Sequence, residues 1–188
     1  MELWLFVVLP VVVLLVLVIL SYNRFVAQVA SIDATWANIE GELQRRHDLV
    51  PNLVGAVQGY ATHEREVLDQ VTAARAQAIA AVPPAVPIEQ QARAEDALTQ
   101  GLTSLLAVTE AYPQLRSDAL FRDLQRQLVE TEDRIAAARR LYNLEVASYE
   151  RRRRAVPSNL VASTVGFLPR HMFEIRDPAA EHAPHVPR

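Results

Sequence analysis

Apolar and polar positions divide the chain into an N-terminal segment that is apolar on every side and a body that is apolar on one side only. No charged residue interrupts Leu3 to Leu20. Wound as a helix, that run rises about 27 Å, close to the hydrocarbon thickness of a bilayer. A cleaved signal peptide is the competing reading, and three features oppose it. The residues before the run are Met-Glu, with an acid and no base. The run exceeds the usual apolar region of about 7–15 residues, and no A-x-A site directly follows. An uncleaved anchor is therefore expected. Pro10 falls near mid-membrane, where a kink is tolerated. Trp4 and Tyr22 fall at the two ends, where interfacial aromatics sit.

Beyond the anchor, apolar residues recur at spacings of three and four, the mark of a one-sided helix. One stripe runs Phe25, Val29, Ile32, Trp36, Ile39, Leu43. A second runs Leu53, Val57, Tyr60, Val67, Val71, Ala74, Ala78. A third runs Ile88, Ala92, Leu98, Leu102, Leu105, and a fourth Phe121, Leu124, Leu128, Ile135, Ala138, Tyr142, Tyr149. No segment sustains a period of two, so strands are not predicted. Residues Val82 to Pro87 hold three prolines and must form a loop. Tyr112-Pro113 opens another connection, Ser117 or Asp118 is placed to cap the fourth helix, and Val156-Pro157 ends it.

Pro51 admits two readings. The apolar register stays in phase across it, with Trp36, Leu43, Val50, Val57 and Val71 separated by multiples of seven. That favours one long helix kinked at Pro51. A single helix from Phe25 to Ala80 would extend about 83 Å, however, and the later stripes are too short to cover it. A turn near Arg46–Pro51, with Asp48 as a cap, gives an up-down four-helix bundle instead. The expected fold class is all-α: an N-terminal transmembrane helix followed by that bundle.

Composition then removes whole classes of chemistry. There is no cysteine and, among nineteen basic residues, no lysine. Disulfides, thiolate metal sites, cysteine nucleophiles, Schiff bases and a P-loop lysine are all excluded. Five glycines and a net charge of −3 offer neither a phosphate loop nor a footprint for nucleic acid.

A set of ordered strings gives a resemblance. Tyr22-Asn23-Arg24-Phe25-Val26 follows the anchor. Then come Arg45 to Val54 (RRHDLVPNLV), Gly59 to Glu64 (GYATHE), Glu110 to Pro113 (EAYP), Glu130 to Arg140 (ETEDRIAAARR), Tyr142-Asn143 and Pro157 to Val161 (PSNLV). In collinear order over about Tyr22 to Phe173, this pattern resembles the LemA family of bacterial proteins. The resemblance implies one membrane helix, a cytoplasmic helical bundle and the turn at Pro51. It implies no catalytic residue. A magnetosome-membrane protein belongs to that family, so membrane organisation is the functional direction it suggests. The Pro/His-rich tail matches no string of the family.

The stripes carry little candidate chemistry. A di-iron site in a bundle needs Glu-x-x-His pairs, and none exists. His63-Glu64-Arg65-Glu66-Val67 lacks the second histidine of a zinc-protease helix. His47 and His63 are read as exposed or capping. No metal, cofactor or small-molecule substrate is predicted. Arg46, Glu64, Glu95, Thr131 and Glu145 fall within apolar stripes. Either they form a buried ion network that fixes register, or they lie at a bundle edge. Metal bound by inward carboxylates at Glu64, Glu95 and Glu145 is the remote alternative. Glu130 and Arg134 form an i,i+4 pair on what reads as a solvated face.

Arg151, Arg152, Arg153 and Arg154 complement a helix C-terminus. In an up-down bundle they also return to the bilayer surface. Apolar residues up to Phe167 and Leu168 follow, too few to span but enough to lie at an interface or against the bundle. Arg151 to Arg154, Phe167 and Leu168 are thus candidate membrane-surface contacts. The domain plan is 1–24 anchor and flank, 25–156 bundle, 157–175 apolar segment and 176–188 disordered tail. Arg24, the base nearest the anchor, places the N-terminus outside and the domain in the cytoplasm of a bacterial inner-membrane protein. The functional expectation is a non-enzymatic membrane-anchored scaffold or adaptor. Its partners would be the bilayer and either a membrane protein or further copies of itself. A regulatory subunit of a membrane enzyme such as a protease is the alternative.

Overall fold

The apolar run and the first amphipathic stripe form one unbroken helix, α1, Leu3–Gln58, in the computed structural model. The structure describes residues 3–61, 63–81 and 86–174, with side chains from Val8 onward. Five further helices follow: α2 Arg65–Ala80, α3 Ile88–Thr109, α4 Pro113–Ser117, α5 Ala119–Arg154 and α6 Ser158–Val165. Among the described residues every regular element is a helix, as the spacing predicts. The tail from Arg176 and most of the proline loop lie outside the described residues.

The turn expected near Arg46–Pro51 is absent, because α1 continues through it to Gln58. The reversal comes later, over residues 59–64, where the Tyr60 and Ala61 amides bond back to the Val57 carbonyl. The second stripe is therefore divided between α1 and α2. A proline inside a helix removes one donor, so the carbonyl four residues back loses its partner. That carbonyl is His47's. Arg75 of α2 replaces the missing donor, its Nε donating to His47 O at 2.7 Å.

Two compact units result, with α1 and α5 contributing to both. The first contains, among the described residues, 3–39 and 138–172. Here Phe25, Ile32 and Ile39 of α1 are buried with Tyr142, Val146 and Tyr149 of α5 and Val161 and Ala162 of α6. Phe25 meets the Tyr149 ring edge-on, Gln28 donates to Ser148 Oγ, and Trp36 lies on Tyr142. Numbers rise along α1 as they fall along α5, so the two run antiparallel in this unit.

The second unit contains, among the described residues, 40–137 with Phe173 and Glu174. Its core joins Val50, Leu53 and Val57 of α1, Leu68 and Val71 of α2, Leu98, Leu102 and Leu105 of α3, Leu115 of α4, and Phe121, Leu124 and Leu128 of α5. Four long helices thus share one core, though the first two divide at residues 59–64 and not at Pro51. Asp118 caps α5 as expected, its Oδ1 accepting the Phe121 amide at 3.0 Å. Ser117 instead donates back to the Pro113 and Gln114 carbonyls.

The Pro51–Arg75 relation yields a double-mutant test. Arg75→Met leaves the His47 carbonyl without its donor and should lower stability by about 1–3 kcal/mol. Pro51→Ala restores an amide to that carbonyl, so in its presence Arg75→Met should cost far less. Urea unfolding of the four proteins in detergent, followed by helicity, measures the coupling. Additive effects would contradict this account of Pro51.

Candidate functional site

Two polar constellations stand out, one in each unit. The first grows from the seven-residue register of α1. Phe25, Ile32, Ile39 and Leu53 are buried at intervals of seven or its double, and Arg46 occupies the place between Ile39 and Leu53. Register therefore drives a guanidinium into the core. Glu95 stands in the same relation to Leu98 and Leu102 on α3, and it is fully buried too.

The two close on each other, Arg46 Nη2 donating to Glu95 Oε2. Arg46 Nη1 donates to Glu132 Oε1 of α5 at 2.9 Å and to Thr99 Oγ1 at 3.0 Å. His47 is buried, and its Nε2 lies 3.0 Å from Glu95 Oε1. Both carboxylate oxygens of Glu95 are thus occupied. Burial penalises the ionised carboxyl, but the His47 hydrogen bond and the Arg46 charge outweigh it and hold Glu95 below its ordinary value. Burial likewise opposes charge on Arg46, and the Glu132 and Glu95 carboxylates more than offset it. Thr131 is buried and donates within α5 to the Gln127 carbonyl.

This arrangement realises the ion-network reading for Arg46 and Glu95, leaves Thr131 buried but bonded only within its own helix, and corrects the reading of His47 as exposed. Glu64 and Glu145 remain only half-buried. Among the described residues no group of His, Asp and Glu side chains has metal-holding geometry. Of the acidic stretch on α5, Glu132 reaches Arg46, and Arg134 lies 3.9 Å from Glu42 of α1 instead of pairing with Glu130. Sequence reasoning missed His47, Thr99, Glu132 and Arg75. Arg75 alone had a readable signal, because the carbonyl four residues before a helical proline needs a donor from elsewhere. The network is a clamp across α1, α3 and α5, with α2 tied in through His47 O. Within it Arg46, His47 and Glu95 hold one another.

The second constellation surrounds the end of α5. Ser158 Oγ donates to the Arg152 and Ala155 carbonyls, closing that helix end. α6 stops at Gly166, whose φ of 86° is a left-handed conformation suited to glycine. The chain then turns Phe167 onto α1, where its ring stacks on Phe25 at 4.8 Å and lies 6.0 Å from Tyr22. Phe167 is therefore half-buried on α1, whereas Leu168 is exposed. From there the chain runs back along α5. The Leu168 carbonyl accepts from Tyr149 Oη at 2.7 Å, the Arg170 amide donates to Glu150 Oε1 at 3.0 Å, and the His171 carbonyl accepts from Tyr142 Oη at 2.9 Å.

Within the arginine run, Arg153 and Arg154 both reach Glu150. Burial raises the Glu150 carboxyl, but the Arg153 and Arg170 N–H bonds and the nearby arginine charges leave it below its ordinary value. Arg151 and Arg154 are exposed, and Arg152 and Arg153 are half-buried.

The clamp has a pH consequence. A carboxyl lowered on folding adds stability above its unfolded pKa of about 4.3 and loses it as pH falls through the folded value. Glu95→Gln should therefore lose less stability than the parent between about pH 5 and pH 3. Arg46→Met, which strands Glu95, should cost about 3–5 kcal/mol near neutrality. Urea midpoints across that pH range check both, and identical pH slopes for parent and Glu95→Gln would contradict the assignment.

The chain is similar to known proteins. The model of the LemA family matches residues 35–187, starting later than the ordered strings and extending through the Pro/His tail. Magnetosome protein MamQ 2 of Paramagnetospirillum magneticum is 28% identical over 189 residues, covering 89% of this chain and 70% of its own. Magnetosome protein MamQ of Magnetospirillum gryphiswaldense is 26% identical over 182 residues, covering 85% and 67%.

Proposed function

The chain belongs to the LemA family, and we propose that it works as a membrane-anchored, non-enzymatic scaffold that presents helix faces to other membrane proteins. One observation carries this reading. α1 is apolar enough to cross a membrane near its N-terminus and then, without a break, supplies core residues to both compact units. A helix built in this way ties whatever docks on the units to the bilayer. The magnetosome names of the relatives point in the same direction, toward proteins that belong to a membrane structure. The inner membrane is the proposed location, with the N-terminus outside and the two units in the cytoplasm.

A docking face is available on α5. Leu141 and Leu144 lie one turn apart and are both exposed. Exposed leucines at i,i+3 suit a second helix. Detergent extraction with affinity capture and crosslinking tests the proposal. The parent should recover further copies of itself or a recurrent set of membrane proteins, and L141E/L144E should lose most of that recovery with its helicity intact. Recovery of one defined enzyme, altered in activity by the chain, would favour a regulatory subunit instead. Capture of nothing by the parent would sink the scaffold.

A further inference from the structure

We propose that the end of α5 and the α6 arm form a second membrane contact, in which Arg24, Arg151 and Arg152 bind the phosphates of anionic lipid headgroups while an apolar collar from Val156 to Leu168 enters the interface. This rests on the reading of the N-terminal part of α1 as a bilayer anchor.

Position is the first support. Tyr22 and Phe25 follow Leu20 on a continuous helix, so they lie about 3 and 8 Å past the end of the apolar run. Headgroup layers are about 5–8 Å deep on each side of a bilayer. Phe167, held against both rings, is therefore fixed at headgroup depth. The surface around it is the second support. Val156 is 81% exposed, Leu160 64%, Val165 51% and Leu168 74%. Val161 and Ala162, on the face of α6 away from Leu160, are buried. An arm that packs one face on the protein and turns large aliphatic side chains outward beside an anchor has lipid as its natural cover.

Charge is the third support. Glu150 is taken by Arg153, Arg154 and the Arg170 amide. Among the described residues no carboxylate pairs with Arg24, Arg151 or Arg152. The Arg152 Nε is buried without a partner. Burial and the like charge of Arg24 both lower the pKa of Arg152. Two guanidiniums brought together without an acid between them suit an anion with several oxygens, which a phosphate supplies.

The absence of cysteine makes the test clean. Leu160→Cys, Leu168→Cys and, as control, Leu141→Cys are labelled with an environment-sensitive dye in the full-length protein and placed in nanodiscs. Leu141 is exposed on α5 beside Tyr142, which packs on Trp36, about 24 Å past the anchor's end. Co-elution with the disc establishes insertion by itself, separately from the arm. In discs with phosphatidylglycerol, headgroup spin labels should quench the Leu160 and Leu168 dyes and spare Leu141. Quenching should fall at least about twofold in phosphatidylcholine discs, in R24Q/R152Q, and in the unmodified background at 1 M salt. Free inorganic phosphate at millimolar concentration should leave it unchanged. Inserted protein whose Leu160 dye is quenched no more than the Leu141 dye would overturn the contact. Equal quenching in neutral and anionic discs at both salt levels would overturn the headgroup site. Loss of quenching on adding free phosphate would show the arginines serve a soluble anion, and would equally overturn it.

Discussion

A carbonyl without its helical donor is the constraint around which the second unit is arranged. Pro51 lies in the interior of α1 and offers no N–H to His47 O, and Arg75 of α2 fills that place at 2.7 Å. Because the repair comes from another helix, the continuity of α1 at Pro51 is coupled to the docking of α2. The same residue, His47, turns its ring to Glu95, which also holds Arg46. Backbone repair and ion clamp are therefore adjacent on one turn of α1, and together they reach α2, α3 and α5. Apolar packing of Val50, Leu53 and Val57 supplies the bulk of the burial there. The polar groups select which packing is allowed, since a slipped register would leave a charge buried alone.

The helices were legible in the sequence to different degrees, and the division of the expected single bundle into two units was not legible. The third and fourth stripes, the Asp118 cap and the end of α5 before Pro157 follow from local signals, and each is where those signals put it. The first reversal was not legible. Leu53, Val57, Val67 and Val71 stay in register across residues 59–64, and Gly59 is the only strong breaker there. Pro51 gave the louder signal, and the tertiary donor that silences it is a residue 28 positions away from His47. His47 was misread for the same reason. Nothing within its own helix announces Glu95, which lies on α3. Arg46, Glu95 and Thr131 were visible as polar interruptions, but choosing burial over a bundle edge needed the helix pairing.

The consequence for function is mechanical. A turn at Pro51 would have placed a joint in the chain soon after the membrane helix, whereas a helix continuous to Gln58 places none there. The arm after α5 is fixed to α1 by Phe167 stacking and to α5 by the Tyr149 and Tyr142 hydroxyls. Those contacts use up the inward faces of the segment and leave its aliphatic side chains outward. Helices of this kind can act through where such surfaces are held.

The central claim is that α1 is one helix from the bilayer through Pro51. Amide hydrogen exchange of the full chain in detergent tests it most directly. The account predicts protection of the amides from Phe25 through Gln58, Pro51 having none, with rapid exchange first appearing over residues 59–64. Rapid exchange at Arg46 to Leu53, where a turn would leave the first amides of a new helix without partners, would contradict it.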